Sequence, residues 1–389
     1  MAFLAVSMTE LDQFKPPTST QESTTSEQLT LPTEAQAEAM LGVFRAVNVQ
    51  LSDELHKKHG NGNTPPRPYH SLEHSREVGN RLRSLFDTFA DESTGAPWLV
   101  LEIPERVYNE KMASASGGVQ RLVSVYRAYA EFLAFGHDIV QEAVVAENGM
   151  LERTRGVHQG GNEHESVKVM VQMLEAKATE MGCDAFSNIL PSYAERIHRD
   201  ISATYPDFQT DHTGTLSEVT TPYAESSSFL GQLLAHADLY AQYAGTEADA
   251  LRASALEFQE THVWARAMLE KHSTVEELND EEVSQLFVAL ASWHKEQPVF
   301  MQSLARGHNT LKRTMSQKIR SLTSTDSSAS HAIALIDEQD NVDAFTRNTH
   351  EFEQITASLT EAHLPETQRQ ALSALLEAFH YPHIQSTTT

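Results

Sequence analysis

The stretch "RPYHSLEHSREVGNRLRSLFDTF", residues 67–89, constrains the fold more than any other. Following the prolines at 65, 66 and 68, His70, His74, Val78, Leu82, Phe86 and Phe89 recur at steps of three and four. That period is one face of an α-helix, so both histidines share the inward stripe with the apolar side chains. Similar stripes follow along the chain. Met40, Leu41, Phe44, Val47, Leu51 and Leu55 form one, opened by Thr33 and Gln36 at capping-box spacing and stopped by Gly60. Leu122, Tyr126, Tyr129, Leu133, His137, Val140 and Val144 form another. "NEHESVKVMVQMLEAKA" and "YAERIHRDISATY" read as a fourth and fifth helix, and "SSSFLGQLLAHADLYAQYA" as a sixth that aligns Leu230, Leu234, Asp238 and Ala241. No period-two alternation of any length is present, so the expected fold class is all-α.

Residues 1–32 are rich in Ser, Thr, Gln, Glu and Pro and read as a disordered arm, and "IQSTTT" at the other end as a fraying tail. A helical domain is expected over 33–275. Its two irregular parts are an insertion near 91–118 and a loop over 207–224. Residues 276–389 read as a C-terminal helical extension, with a Ser/Thr-rich break near 321–331.

Charge narrows the partners. With 54 acidic against 29 basic residues the formal net charge is −25. A field of that sign repels a phosphodiester backbone, so long nucleic acids are excluded as partners. Cys183 is the single cysteine, which suits a reducing compartment and rules out an intrachain disulfide. "MAFLAVSMTE" lacks the basic start and long apolar core of a signal peptide, and no run is long enough for a membrane span. The expectation is a cytoplasmic protein without membrane contact.

Three inward stripes carry ionisable groups where an ordinary core has leucine: His70 and His74, His137 with Asp138, and Asp238. A buried carboxylate without compensation costs several kcal/mol, so such groups are paired or bound to metal. Mixed imidazole and carboxylate donors suit Mn, Fe, Co, Zn or Mg.

In order, "PYHSLEH", "FLAFGHDIVQE", "GNEHESV", "ISATYP" and "LLAHADLYAQY" resemble the HD-domain superfamily of metal-dependent phosphohydrolases, over roughly residues 36–275. Cyclic-nucleotide phosphodiesterases are more distant relatives with a similar opening pair of histidines. The resemblance implies an HD-type helical bundle holding one or two divalent ions and acting on a small phosphorylated substrate. It implies His74, His137, Asp138 and Asp238 as metal ligands, with Asp138 able to bridge to a second ion, and His70 as proton donor. Glu142, one turn beyond Asp138, and Glu163 in the Asn-Glu motif are further catalytic candidates, to hold or orient water. Arg67, Arg76 and Lys168 are placed to meet phosphate, and His158, His164 and His198 are reserve ligands.

The sequence departs from the family pattern in three places. Ser71 stands where asparagine is common, the interval from His74 to His137 is long, and residues 143–161 lengthen the next connection. Two alternatives accompany the hydrolase reading. One is a non-catalytic binding or regulatory protein that has kept the fold. The other is a di-iron HD-fold oxygenase that would recruit His164 and His198.

Overall fold

The computed structural model describes residues 33–378 apart from 60–66, 94, 113–117, 148, 154–160, 273, 340–341 and 361–364. The expected arm at 1–32 and the tail "IQSTTT" lie outside the described residues. Within them the chain is all-α, as its periodicity predicts.

The first helix, α1 (Glu34–His59), begins as a capping box: Thr33 N–H donates to Gln36 and Gln36 N–H to the Thr33 hydroxyl. Its stripe of Met40, Phe44, Val47, Leu51 and Leu55 is fully buried. The helix packs along α5 (Gly118–Gly136), where Phe44 meets the rings of Tyr129 and Phe132. α2 (Leu72–Ala90) lies on the other side of α5 and buries Val78, Leu82, Phe86 and Phe89. Ser71 caps α2 by accepting from His74 N–H, which fixes the start of the helix two residues after His70. His70 therefore sits in the turn before the helix rather than on it.

The region expected to be an irregular insertion contains two short helices, α3 (Pro97–Val100) and α4 (Glu105–Met112). α5 stops at Gly136, earlier than its stripe suggests. The chain then turns through His137 and Asp138 and forms a small hairpin of β1 (Ala143–Val145) with β2 (Leu151–Arg153). Val144 is consequently half-exposed on a strand instead of inward on a helix. A Cβ at position 136 would meet the end of the Met170 side chain, so the turn passes close against the next helix.

That helix is α6 (Gly161–Glu180), followed by α7 (Asp184–Ser187) and α8 (Leu190–Ser202). Residues 207–224, expected as loop, include a second antiparallel hairpin of β3 (Asp207–Thr210) and β4 (Leu216–Thr220). α9 (Phe229–Ala235) is buried along its whole length and runs into a π-helical turn, His236–Tyr240.

α10 (Glu247–Thr261) and α11 (Val263–Lys271) lead to α12, a 43-residue helix from Asp280 to Leu322 that carries Pro298 inside it. α12 crosses β4 so closely at Gly307 that a Cβ there would fall within the Val219 carbonyl oxygen. α13 (Asp326–Gln339), α14 (Val342–Thr360) and α15 (Pro365–Ala378) complete the chain. The Ser/Thr-rich break near 321–331 is a short connection from α12 to α13, its polar groups held by Glu105, which accepts from Ser324 and Ser328. One apolar cluster runs from α1 through α9 to Met301, Leu311 and Ile319 of α12 and Phe352 of α14, so buried side chains are continuous across residue 275. A second gathers Phe258, Leu286, Leu290, Leu359 and Leu372.

Candidate metal centre

His74, His137, Asp138 and Asp238 meet at one point, and all four are buried. One donor atom from each lies within 4.8 Å of the others. His74 comes from the first turn of α2, His137 and Asp138 from the turn after α5, and Asp238 from the π-turn. His74 Nε2 is 3.0 Å from Asp238 Oδ1 and 3.5 Å from Asp138 Oδ2. His137 Nε2 is 3.0 Å from Asp138 Oδ2 and 3.3 Å from Asp238 Oδ1. Separations near 3 Å are what neighbouring ligands show around an ion bound at about 2.1 Å.

The protonation pattern also fits a cation. His137 Nδ1–H donates to the Ala134 carbonyl at 2.8 Å, which leaves Nε2 as the atom aimed at the cluster. That nitrogen is buried, and its near neighbours are the Asp138 and Asp238 carboxylate oxygens at 3.0 and 3.3 Å. Burial opposes charge on the His137 ring, yet Asp138 and Asp238 outweigh it and raise its pKa well above the usual histidine range. Burial also works against both carboxylates. His137, with His70 and His74 near Asp138, nevertheless keeps the Asp138 pKa well below normal, and His137 and His74 hold Asp238 at about 2. Two ionised carboxylates beside two imidazoles in a buried space form an anionic nest, and a divalent ion satisfies it better than a proton.

The π-turn aims Asp238. Ala241 N–H reaches back five residues to the His236 carbonyl, and this widened turn is a common device at functional sites. It sends His236 to the opposite side, where its Nδ1 lies 3.2 Å from His308 Nε2 of α12. His236 is thus kept out of the cluster, as its two-residue offset from Asp238 predicts. Tyr240 completes the anchorage by donating to the Val219 carbonyl at 3.1 Å.

Around the four ligands stands a layer of polar partners that the motifs did not announce. Asp138 Oδ1 accepts from Gln141 at 2.6 Å, Gln141 accepts from Asn162, and Asn162 Oδ1 accepts from Glu142 N–H. Ser166 takes the N–H of Val140. The start of α6 therefore holds the turn that bears His137 and Asp138, and the "GNEHES" segment acts through Asn162 and Ser166.

Glu260, at the end of α10, is the largest omission from the sequence reading. It is buried, accepts from the backbone N–H of Tyr69 and of His70 at 3.0 Å each, lies 2.6 Å from His70 Nδ1, and pairs with Arg67. Burial would raise its pKa, but His70 and then Arg67 hold it down to about 2. His70 itself lies 6.1 Å from His74 between ring centres.

The remaining candidates fall outside the four-residue group. The Glu142 side chain is exposed, and Glu163 is partly buried with its carboxylate against Gly161 at the first turn of α6. Arg67 is committed to Glu260 and the Gln141 carbonyl, Lys168 pairs with Glu165, and Arg76 is exposed. His158 lies outside the described residues. His164 and His198 face each other, Nδ1 to Nε2 at 3.3 Å, apart from the cluster.

No family model, curated protein or solved structure matches this chain. The site therefore stands on its own geometry. A buried group of two histidines and two aspartates can hold a metal ion, and no helix among the described residues is long and apolar enough to cross a membrane.

Proposed function

We propose that the chain is an HD-type metal-dependent hydrolase of a small phosphoester or nucleotide. The observation that carries the reading is the convergence of His74, His137, Asp138 and Asp238 with His70 and Glu260 beside them. When bound, a divalent ion supplies Lewis acidity to a phosphoryl oxygen and a lowered pKa to its water. The chain's own residues supply the rest. Asp138 and Asp238 offset the ion's charge, and Gln141 and Asn162 fix the carboxylate of Asp138. Glu260 holds His70 at Nδ1 and fixes its ring, which leaves Nε2 to deliver a proton to the departing oxygen. Glu142 and Glu163 are not required by this scheme.

Purified protein assayed against a phosphoester and nucleotide panel with Mn²⁺, Fe²⁺, Co²⁺, Zn²⁺ or Mg²⁺ tests the proposal. Turnover and bound metal should both vanish in a His137→Ala, Asp138→Ala double variant. Turnover that survives without metal would refute it.

One observation favours a second reading, a dinuclear centre. His164 is two residues from Asn162, which is bonded through Gln141 to Asp138, and it faces His198. Burial, then the neighbouring His164 and Arg199, pushes the His198 pKa down to about 4, so its ring is neutral at pH 7 and fit to ligate. Two irons per chain with oxygen consumption would select an oxygenase over a hydrolase. A folded chain that binds no ion at all would leave a non-catalytic binding protein.

A further inference from the structure

Two residues past Glu260, His262 opens onto a second cavity whose lining includes none of the four metal ligands. It is a groove of about 840 Å³ between α11, α12 and the tip of the first hairpin, within the size range of small-molecule sites. His262, Trp264, Trp293, Met150, Val288 and Glu296 line it. Its aromatic groups are built around His262. The His262 ring stacks on Phe258 at 4.2 Å with 21° between planes. Trp293 stands at 89° to it and Trp264 at 72°, 5.7 and 6.5 Å away. A stacked pair thus forms one wall and two indoles stand roughly perpendicular to it.

The walls are fixed in place. Trp293 Nε1–H donates to the Ser254 hydroxyl at 2.9 Å, and Met150 is bridged to His262 by backbone pairing. Gly149, at φ +76°, lets the hairpin turn against Trp264, where a Cβ would come within 2.9 Å of the indole. Val288 remains 61 % exposed at the rim, a large apolar side chain left in water.

Charge selects the occupant. Among the described residues, Glu296 is the one carboxylate in the lining, and no lysine or arginine lines the groove. Burial lowers the His262 pKa, so its ring is neutral at pH 7. A phosphorylated or carboxylated ligand would meet only like charge there. Indole faces are the best aromatic partners for a cation, and two indoles set steeply to the His262 ring beside one carboxylate suit a quaternary ammonium group. We propose that this groove binds a small organic cation, a methylated ammonium group on an apolar body.

The test uses the full chain and two probes, choline and its uncharged isostere 3,3-dimethylbutan-1-ol, titrated by tryptophan fluorescence. Saturable quenching by choline, at least roughly fivefold tighter than any response to the isostere, is expected from the size of a desolvated cation–π contact. Glu296→Gln, at an exposed position that leaves the fold intact, should weaken choline binding severalfold, and Trp264→Phe should weaken it further while the circular dichroism is unchanged. Equal binding of the two probes, or choline affinity indifferent to Glu296→Gln, would overturn the proposal. So would the absence of saturation at about 50 mM, since a working site of this kind exceeds about 2 kcal/mol.

Discussion

Metal uptake should release a proton from His137, and this can be worked out from the apo geometry. The ring's Nδ1–H is fixed on Ala134, so the titrating proton sits on Nε2, the atom that must ligate. Burial disfavours that proton, but Asp138 at 3.0 Å and Asp238 at 3.3 Å keep it well above the ordinary value of 6.5. Asp138 and Asp238 are already ionised at neutral pH, Asp238 with a pKa of about 2, and release nothing. Each bound ion therefore displaces about one proton, and log K should rise by about one per pH unit below the raised folded-state value, worth about 1.4 kcal/mol per unit, and level off above it.

The stability of the metal-free chain moves the other way. A raised folded-state pKa means the native state binds the extra proton. The stabilisation is complete below 6.5 and declines as pH climbs through the folded value. The gap in melting temperature between loaded and metal-free protein should thus widen with pH. Calorimetric titration of Mn²⁺ in buffers of different ionisation enthalpy counts the proton directly. A flat affinity between pH 6.5 and 8 with no buffer dependence would refute the reasoning, because His137 would then not be a ligand.

Three other outcomes are expected. Glu260→Gln should lower turnover by roughly tenfold or more, within the range for disabling a general acid, with metal content unchanged in elemental analysis. Gly307→Ala should destabilise the fold by about 3 kcal/mol or more, because α12 cannot move off the Val219 carbonyl without disturbing β4; urea unfolding measures this, and an unchanged midpoint would contradict the packing. Ser71→Ala should cost about 1 kcal/mol through loss of the cap that places His74, also read by urea unfolding, with a parallel loss of metal affinity.

His74, His137 and Asp238 stood out because each lies where its stripe expects an apolar side chain, with Asp138 next to His137; the resemblance, not the stripes, singled out these four from His70. The all-α class and the capping box at Thr33 followed from period and spacing alone. The end of α5 was not legible, since Val140 and Val144 continue the helical spacing while the chain has already turned. What holds the turn is the reach of Val140 N–H to Ser166 and of Glu142 N–H to Asn162, contacts across 26 and 20 positions that no local pattern encodes. Glu260 was missed for the same reason, lying 190 residues from His70 with no motif around it. The π-turn is equally silent, because "AHADLYAQY" reads as plain α-helix while its anchors, His236 on His308 and Tyr240 on Val219, are long-range.

His74 and Asp238 are separated by 164 residues, yet their side chains lie 3.0 Å apart. Bringing such distant points together is among the slower and entropically dearer events in folding. An ion spanning them closes the longest loop in the site and cannot do so before α2, α5 and the π-turn have docked. The moment at which the chain acquires tight metal affinity is then a clock for its assembly: uptake during refolding should lag the appearance of helix and coincide with the final consolidation of the core.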